Sequence, residues 1–205
     1  ERSAVIADFN RDGFKDLFVI QQPANHNYYL QNDGTGNMVQ LWNDLGPFTD
    51  TRSICAGDFD RDGDIDVFIG KPAVSNELWI NDLASTGSFV KSSWTDGESN
   101  ATTCVISSDF DRDGYTDILE VSDGERIKFW RNNRTGGFEK RWESVSVYNS
   151  TYAAARDLNG DGYTDAYITN AAVGKVNTII INNGNGTFSE SDAANSDPWG
   201  RVVTL

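Results

Sequence analysis

Apolar residues in this chain gather in short runs separated by stretches rich in Asp, Asn and Gly, and no segment sustains a 3.6-residue period. Runs such as Leu17-Phe18-Val19-Ile20 and Val67-Phe68-Ile69 have strand length and lie between turn residues, which predicts an all-β chain. The runs also recur in order. A small-to-apolar stretch (SAVIA, SICAG, CVISS, YAAAR) precedes an Asp-rich loop, and an apolar run (LFVI, VFIG, ILEV, AYIT) follows it. A third run closing on Asn (YYLQN, LWIND, FWRNN, IIINN) meets a Gly-containing turn, and a fourth opens with Met38, Phe89, Phe138 or Phe188.

Four strands, A to D, in a unit of about 50 residues is the arithmetic of a β-propeller blade. Strand C carries apolar side chains on both alternations: Leu30, Trp79, Trp130 and Ile180 on one face, Tyr29, Leu78, Phe129 and Ile179 on the other. A sheet covered on both faces by neighbouring sheets needs that pattern. The expected repeats are residues 1–50, 51–100, 101–148 and 149–198, with 199–205 (Arg201-Val202-Val203-Thr204-Leu205 resembling another strand A) opening a further blade. Four repeats cut from a longer propeller is the expectation, and a self-closing four-bladed ring is the alternative.

The loops between strands A and B carry the chemistry. Asp8-Phe9-Asn10-Arg11-Asp12-Gly13-Phe14-Lys15-Asp16 is echoed from Asp58, Asp109 and Asp157, so the first Asp recurs after 50, 51 and 48 residues. Calcium prefers six to eight oxygen ligands, and acids at alternate positions of a tight loop converge on one point. Positions one, three, five and nine supply side-chain oxygens and position seven a main-chain carbonyl. The expected ligands are Asp8, Asn10, Asp12, Phe14 and Asp16; Asp58, Asp60, Asp62, Asp64 and Asp66; Asp109, Asp111, Asp113, Tyr115 and Asp117; and Asp157, Asn159, Asp161, Tyr163 and Asp165. Glycine at position six permits the turn over the ion. About four Ca2+ ions are expected. Asn10 and Asn159 each remove a charge, which predicts that the first and fourth sites are weaker. An EF-hand is excluded, because the last acid falls three residues after Gly instead of six and a strand follows.

The chain has 205 residues with 31 acidic and 17 basic side chains, a net charge of −14. That balance argues against nucleic acid or an anionic membrane surface as partner, and no apolar run approaches membrane-spanning length. The acid is concentrated in the loops. Without metal the clustered carboxylates should repel one another and leave the loops loose.

These residues resemble the FG-GAP, or VCBS-type, repeat of integrin α-subunit propellers and many secreted proteins. The resemblance rests on the Asp-x-Asp/Asn-x-Asp-Gly-x-x-Asp loop and on the turn Asn182-Asn183-Gly184-Asn185-Gly186-Thr187-Phe188. It implies a calcium-stabilised propeller of about seven blades with an extracellular role in adhesion, recognition or structural assembly. Phe-Gly and Gly-Ala-Pro motifs are absent, and Ala7, Gly57, Ser108 and Arg156 precede the loops.

Four sequons, at Asn100, Asn133, Asn149 and Asn185, point to a secreted or cell-surface glycoprotein that contacts a protein or glycan partner or self-assembles. Cys55 and Cys104 share a strand parity in consecutive blades, so a cross-blade disulfide is one expectation and two buried thiols the other. The single histidine, His26, lies in a loop, and with no nucleophile elbow or phosphate loop no enzyme is expected. Two alternatives stay open: a lectin-like propeller stacking sugars on Trp42, Trp94, Trp130, Trp142 or Trp199, with blade packing the default for Trp130, and the propeller of a polysaccharide lyase.

Overall fold

A computed structural model describes residues 2–21, 27–43, 50–171 and 176–193, and it is all-β: no helix occurs among the described residues. His26, Trp199 and the strand expected at 199–205 lie outside them. The first unit is an antiparallel meander of β1 (Arg2–Ala7), β2 (Asp16–Gln21), β3 (Asn27–Asn32) and β4 (Met38–Asn43). The second repeats it with β5 (Ser53–Gly57), β6 (Asp66–Gly70), β7 (Glu77–Asp82) and β8 (Ser88–Lys91).

The third and fourth units share one six-stranded sheet made of β9 (Thr102–Ser108), β10 (Asp117–Asn132), β11 (Phe138–Arg156), β12 (Asp165–Asn170), β13 (Thr178–Asn182) and β14 (Phe188–Asp192). Strand β10 contains both B and C. Its first half pairs with β9 and its second with β11, and the Asn132 N–H returns to the Asp117 carboxylate at 2.8 Å, so the strand folds back on itself. Gly124, at φ 73°, supplies a left-handed conformation at the reversal. Strand β11 is likewise D of the third unit running directly into A of the fourth, because no Pro or Gly interrupts 138–156.

The A strands stand side by side on the inside of the array. Ser107 Oγ donates to the Ala56 carbonyl at 2.8 Å, Val105 N–H to Ser53 Oγ at 2.9 Å, and Thr103 Oγ1 to the Ser150 carbonyl at 2.8 Å. Between the sheets lie three apolar layers. In the first, Phe18, Ile20 and Tyr29 meet Val67, Ile69 and Trp79; in the second, Phe68 and Leu78 meet Ile118 and Trp130; in the third, Leu119 and Phe129 meet Ile168 and Ile180. The two alternations of strand C are therefore the faces toward the following and the preceding unit. Only the outermost members, Leu30 and Ile179, are half-buried.

Each layer is closed by the same aromatic pair. The Phe at loop position two packs against the Phe that opens strand D of the next unit: Phe9 with Phe89 (5.6 Å between centroids), Phe59 with Phe138 (5.4 Å) and Phe110 with Phe188 (5.9 Å). The Trp in the D region of each of the first three units joins the layer shared with the following unit. Trp42 meets Trp79, Trp94 meets Trp130 and Phe138, and Trp142 meets Phe188. These half-buried indoles pack between blades.

Cys55 and Cys104 are free and buried. Their equal parity sends them into successive layers, Cys55 between the second and third units and Cys104 between the third and fourth, so they do not meet. Burial pushes both thiols up from the ordinary range.

Candidate metal centres

The four A-to-B loops have one backbone design. At position six, Gly13, Gly63, Gly114 and Gly162 lie at φ 85–91° and donate their N–H groups to the position-one carboxylates of Asp8, Asp58, Asp109 and Asp157 at 2.8–3.0 Å. Position five accepts from the N–H of position seven: Phe14 to Asp12, Asp64 to Asp62, Tyr115 to Asp113 and Tyr163 to Asp161, at 2.8–2.9 Å. The loops are thus tied by their own amides.

Position nine is more than a ligand candidate. Asp16, Asp66, Asp117 and Asp165 are fully buried at the start of strand B. Each accepts one N–H from loop position two and one from the Asn closing strand C, as in Phe59 N to Asp66 Oδ2 at 2.8 Å and Asn81 N to Asp66 Oδ1 at 2.9 Å. The same carboxylate therefore closes the loop and ties it to the sheet.

In the second loop, carboxylate oxygens of Asp58, Asp60 and Asp66 all lie within 4.8 Å of one another, and in the third loop those of Asp109, Asp111 and Asp117 do so. Asp58 Oδ1 is buried with no hydrogen-bond partner, which is costly for a carboxylate oxygen unless a cation serves it. Burial, reinforced by the neighbouring carboxylates, pushes Asp66 and Asp117 up to about 7. Positive charge nearby would hold such a group ionised below that pH. In the first and fourth loops Asn10 and Asn159 stand at position three and donate Nδ2 to Asp12 and Asp161 at 2.8 Å. The donor set is oxygen throughout, with no Cys or His, which suits a hard cation.

A family model described as an FG-GAP-like repeat matches residues 8–69 and 109–168, both spans starting at an Asp-rich loop. The chain belongs to this FG-GAP-like repeat family. Among curated relatives, Cartilage acidic protein 1 of Mus musculus is 29% identical over 180 residues, 80% of this chain and 27% of that protein, so the chain spans about a quarter of that relative's length. Among solved structures, the fold is similar to BBS1N in its complex with ARL6DN (TM-score 0.58, 10% identity, 94% of this chain and 57% of that one). It is also similar to the V. cholerae biofilm matrix protein Bap1 (0.56, 17% identity, 98% and 30%) and the Pseudomonas aeruginosa PilY1 C-terminal domain (0.53, 14% identity, 99% and 51%). At these identities the structural likeness shows a propeller-like fold and nothing further.

Residues that the motif alone did not single out also pair with the loop carboxylates. Arg131 on strand C places Nε 2.6 Å from Asp111 and Nη2 2.8 Å from Asp113, and Arg134 reaches Asp113 at 2.7 Å. Burial opposes ionisation of Asp113, but the bonds from Arg134, the Tyr115 N–H and Arg131 outweigh it and hold the carboxyl below its usual range. The corresponding strand position is Gln31, Ile80 or Ile181 in the other units, so only an alignment of repeats exposes Arg131 as different.

The sequon asparagines fall into two groups. Asn133, Asn149 and Asn185 are exposed. Asn100 is buried and donates Nδ2 to both Glu98 (3.1 Å) and Glu120 (3.0 Å), so the folded chain has no room for a glycan there, contrary to the expectation from the sequon.

Proposed function

We propose that the FG-GAP-like loops are calcium sites that rigidify the blades of an extracellular propeller module serving adhesion, recognition or structural assembly. The observation that carries the calcium reading is the orphaned, buried Asp58 Oδ1 within a cluster of three carboxylates. Oxygen-only donors on a Gly-turned loop favour calcium over the transition metals. The extracellular role is supported by the three exposed sequon asparagines and by the names of two similar proteins, a cartilage acidic protein and a biofilm matrix protein.

The same reading extends to a propeller with more than four blades. Met38, 43% exposed, stands where Phe89 and Phe138 are almost fully buried, and Leu158, 39% exposed, stands where Phe9 and Phe59 are. Both mark faces that a further blade would cover, together with half-buried Leu30 and Ile179. Catalysis is not part of the proposal. The groove along the inner strands is lined, among the described residues, by Ser, Ala, Val, Ile, Cys and Tyr side chains.

Calorimetric titration of chelator-stripped protein with calcium, with thermal melts in parallel, tests the proposal. Binding of about four ions with a steep rise in melting temperature is expected, since each filled site at a hundredfold excess over its Kd adds about 2.7 kcal/mol. No heat and an unchanged melt would reduce the loops to polar turns.

A further inference from the structure

The loops are joined to one another by an arginine that sequence reasoning passed over. Position four is Arg11, Arg61 and Arg112 in the first three loops and Gly160 in the fourth. All three arginines are left-handed, at φ 59°, 67° and 58°, a conformation disfavoured for a side-chain-bearing residue and held by the loop around it. That backbone aims each guanidinium away from its own loop and onto the next one.

Arg11 Nε lies 3.1 Å from the Gly63 carbonyl and 2.8 Å from Asp64 Oδ1, and its Nη2 lies 3.1 Å from the Asp62 carbonyl. One guanidinium thus holds positions five, six and seven of the second loop. Arg61 stacks over the Tyr115 ring at 4.8 Å, and a Cβ on Gly114 would sit 3.5 Å from its Nη2. Arg112 bonds the Gly162 carbonyl and stacks over the Tyr163 ring at 4.3 Å. In each case the contact falls on positions five to seven of the next loop, and the position-six glycine leaves room for the guanidinium.

We infer that Arg11, Arg61 and Arg112 are positioning residues for the calcium site of the following blade, so that the loops form a series in which each organises the next. The inference rests on the calcium reading above. The guanidinium preorganises the neighbouring turn by holding its carbonyls and side chains in place, and outer partners of this kind commonly set metal affinity by tenfold or more. The order of an arginine depends in turn on its own loop, so filling one loop strengthens the next and, by linkage, is strengthened by it. The series ends at Gly160, which has no side chain to extend.

The natural glycine of the fourth loop also supplies the test. Arg11→Gly places in the first loop the residue its fourth copy already tolerates at positive φ, so the mutated loop itself keeps its conformation. Protein labelled with [15N]glycine is titrated with calcium alone and followed by NMR, where the amides of Gly13, Gly63, Gly114 and Gly162 each report one loop. In the Arg11→Gly protein the Gly63 midpoint is expected to move about tenfold to higher calcium while Gly13 moves less than about twofold. Arg61→Gly should shift the Gly114 midpoint relative to that of Gly63 in the same way. Movement of Gly13 instead, or of no glycine, in proteins whose parent titrates normally would overturn the inference alone. If no glycine of the parent responds to calcium, the calcium reading fails first.

Discussion

Asn132 Nδ2 donates to the carbonyl of Phe59, on the preceding blade, at 2.7 Å, and to the carbonyl of Thr116 on its own blade at 3.1 Å. Asn81 joins Phe9 and Ile65 in the same way, and Asn182 joins Phe110 and Thr164. One amide at the end of strand C therefore ties the Asp-rich loop of one unit to the loop base of the next, immediately beside the buried position-nine Asp. Blade packing and loop closure are the same event.

Replacing Asn132 by Ala leaves two buried carbonyls without donors and is expected to cost about 2–4 kcal/mol. Asn32 offers a control. Its Nδ2 reaches the Lys15 carbonyl of its own blade at 3.2 Å and the cross-blade acceptor is absent among the described residues. Asn32→Ala should cost less than half as much in urea unfolding followed by tryptophan fluorescence. Equal losses would show that the cross-blade bond contributes nothing.

The aromatic pairs make a parallel prediction. Phe59 is buried between two blades against Phe138, whereas Leu158 is its counterpart on an open face. Phe59→Ala is expected to cost about 3–5 kcal/mol and Leu158→Ala less than about 1 kcal/mol. If thermal or denaturant melts give Leu158→Ala a core-sized loss, the fourth blade's outer face is covered in solution, as it would be by a further blade or a second molecule.

Much of this was legible in the chain because propeller packing imposes a pattern on single residues. Leu78 and Trp79, adjacent and both apolar, require sheets on both sides of strand C, and the structure places them in different layers. The loop acids were legible for the same reason, through their spacing. What escaped depends on relations between repeats. Arg11 looks like a solvated charge until its positive φ and the neighbouring Gly63 are known, and equal strand parity read for Cys55 and Cys104 as a chance to pair actually separates them by one sheet. Asn100 satisfies the sequon pattern while its amide is spent on Glu98 and Glu120, a burial that no tripeptide reveals.

Arg131 predicts an inequality between the metal sites that differs from the one read off the motif. The third loop has Asp at position three, as does the second, yet Arg131 and Arg134 already neutralise Asp111 and Asp113. A cation entering that loop meets a positive charge on the ligands it needs. Arg131→Gln, which installs the first blade's residue, should tighten calcium binding at the third loop by roughly tenfold at low ionic strength and by less in high salt. Site-resolved titration of the Gly114 amide reads this directly. Weaker binding in the variant would mean that the guanidinium orients the carboxylates instead of competing for them.

The raised carboxyls of Asp66 and Asp117 give a pH dependence whose sign reverses with metal. In the metal-free fold both protonate near pH 7, because burial disfavours the charge, while in the unfolded chain they titrate near the ordinary 3.8. Between those values the folded state holds more protons, so metal-free stability is highest at the acid end of the window and falls as pH rises from about 5 to about 7. Carboxyls held low by their partners, such as Asp33 and Glu98 at about 2, titrate below the window and do not obscure it. Calcium requires the ionised forms, so its binding must expel those protons, and its affinity falls as pH drops below about 7. Melting temperatures measured at about pH 5, 6 and 7.5 should therefore decline with pH in chelator and rise with pH in millimolar calcium. Curves that run parallel in the two buffers would separate Asp66 and Asp117 from the metal and leave them as loop-closing groups only.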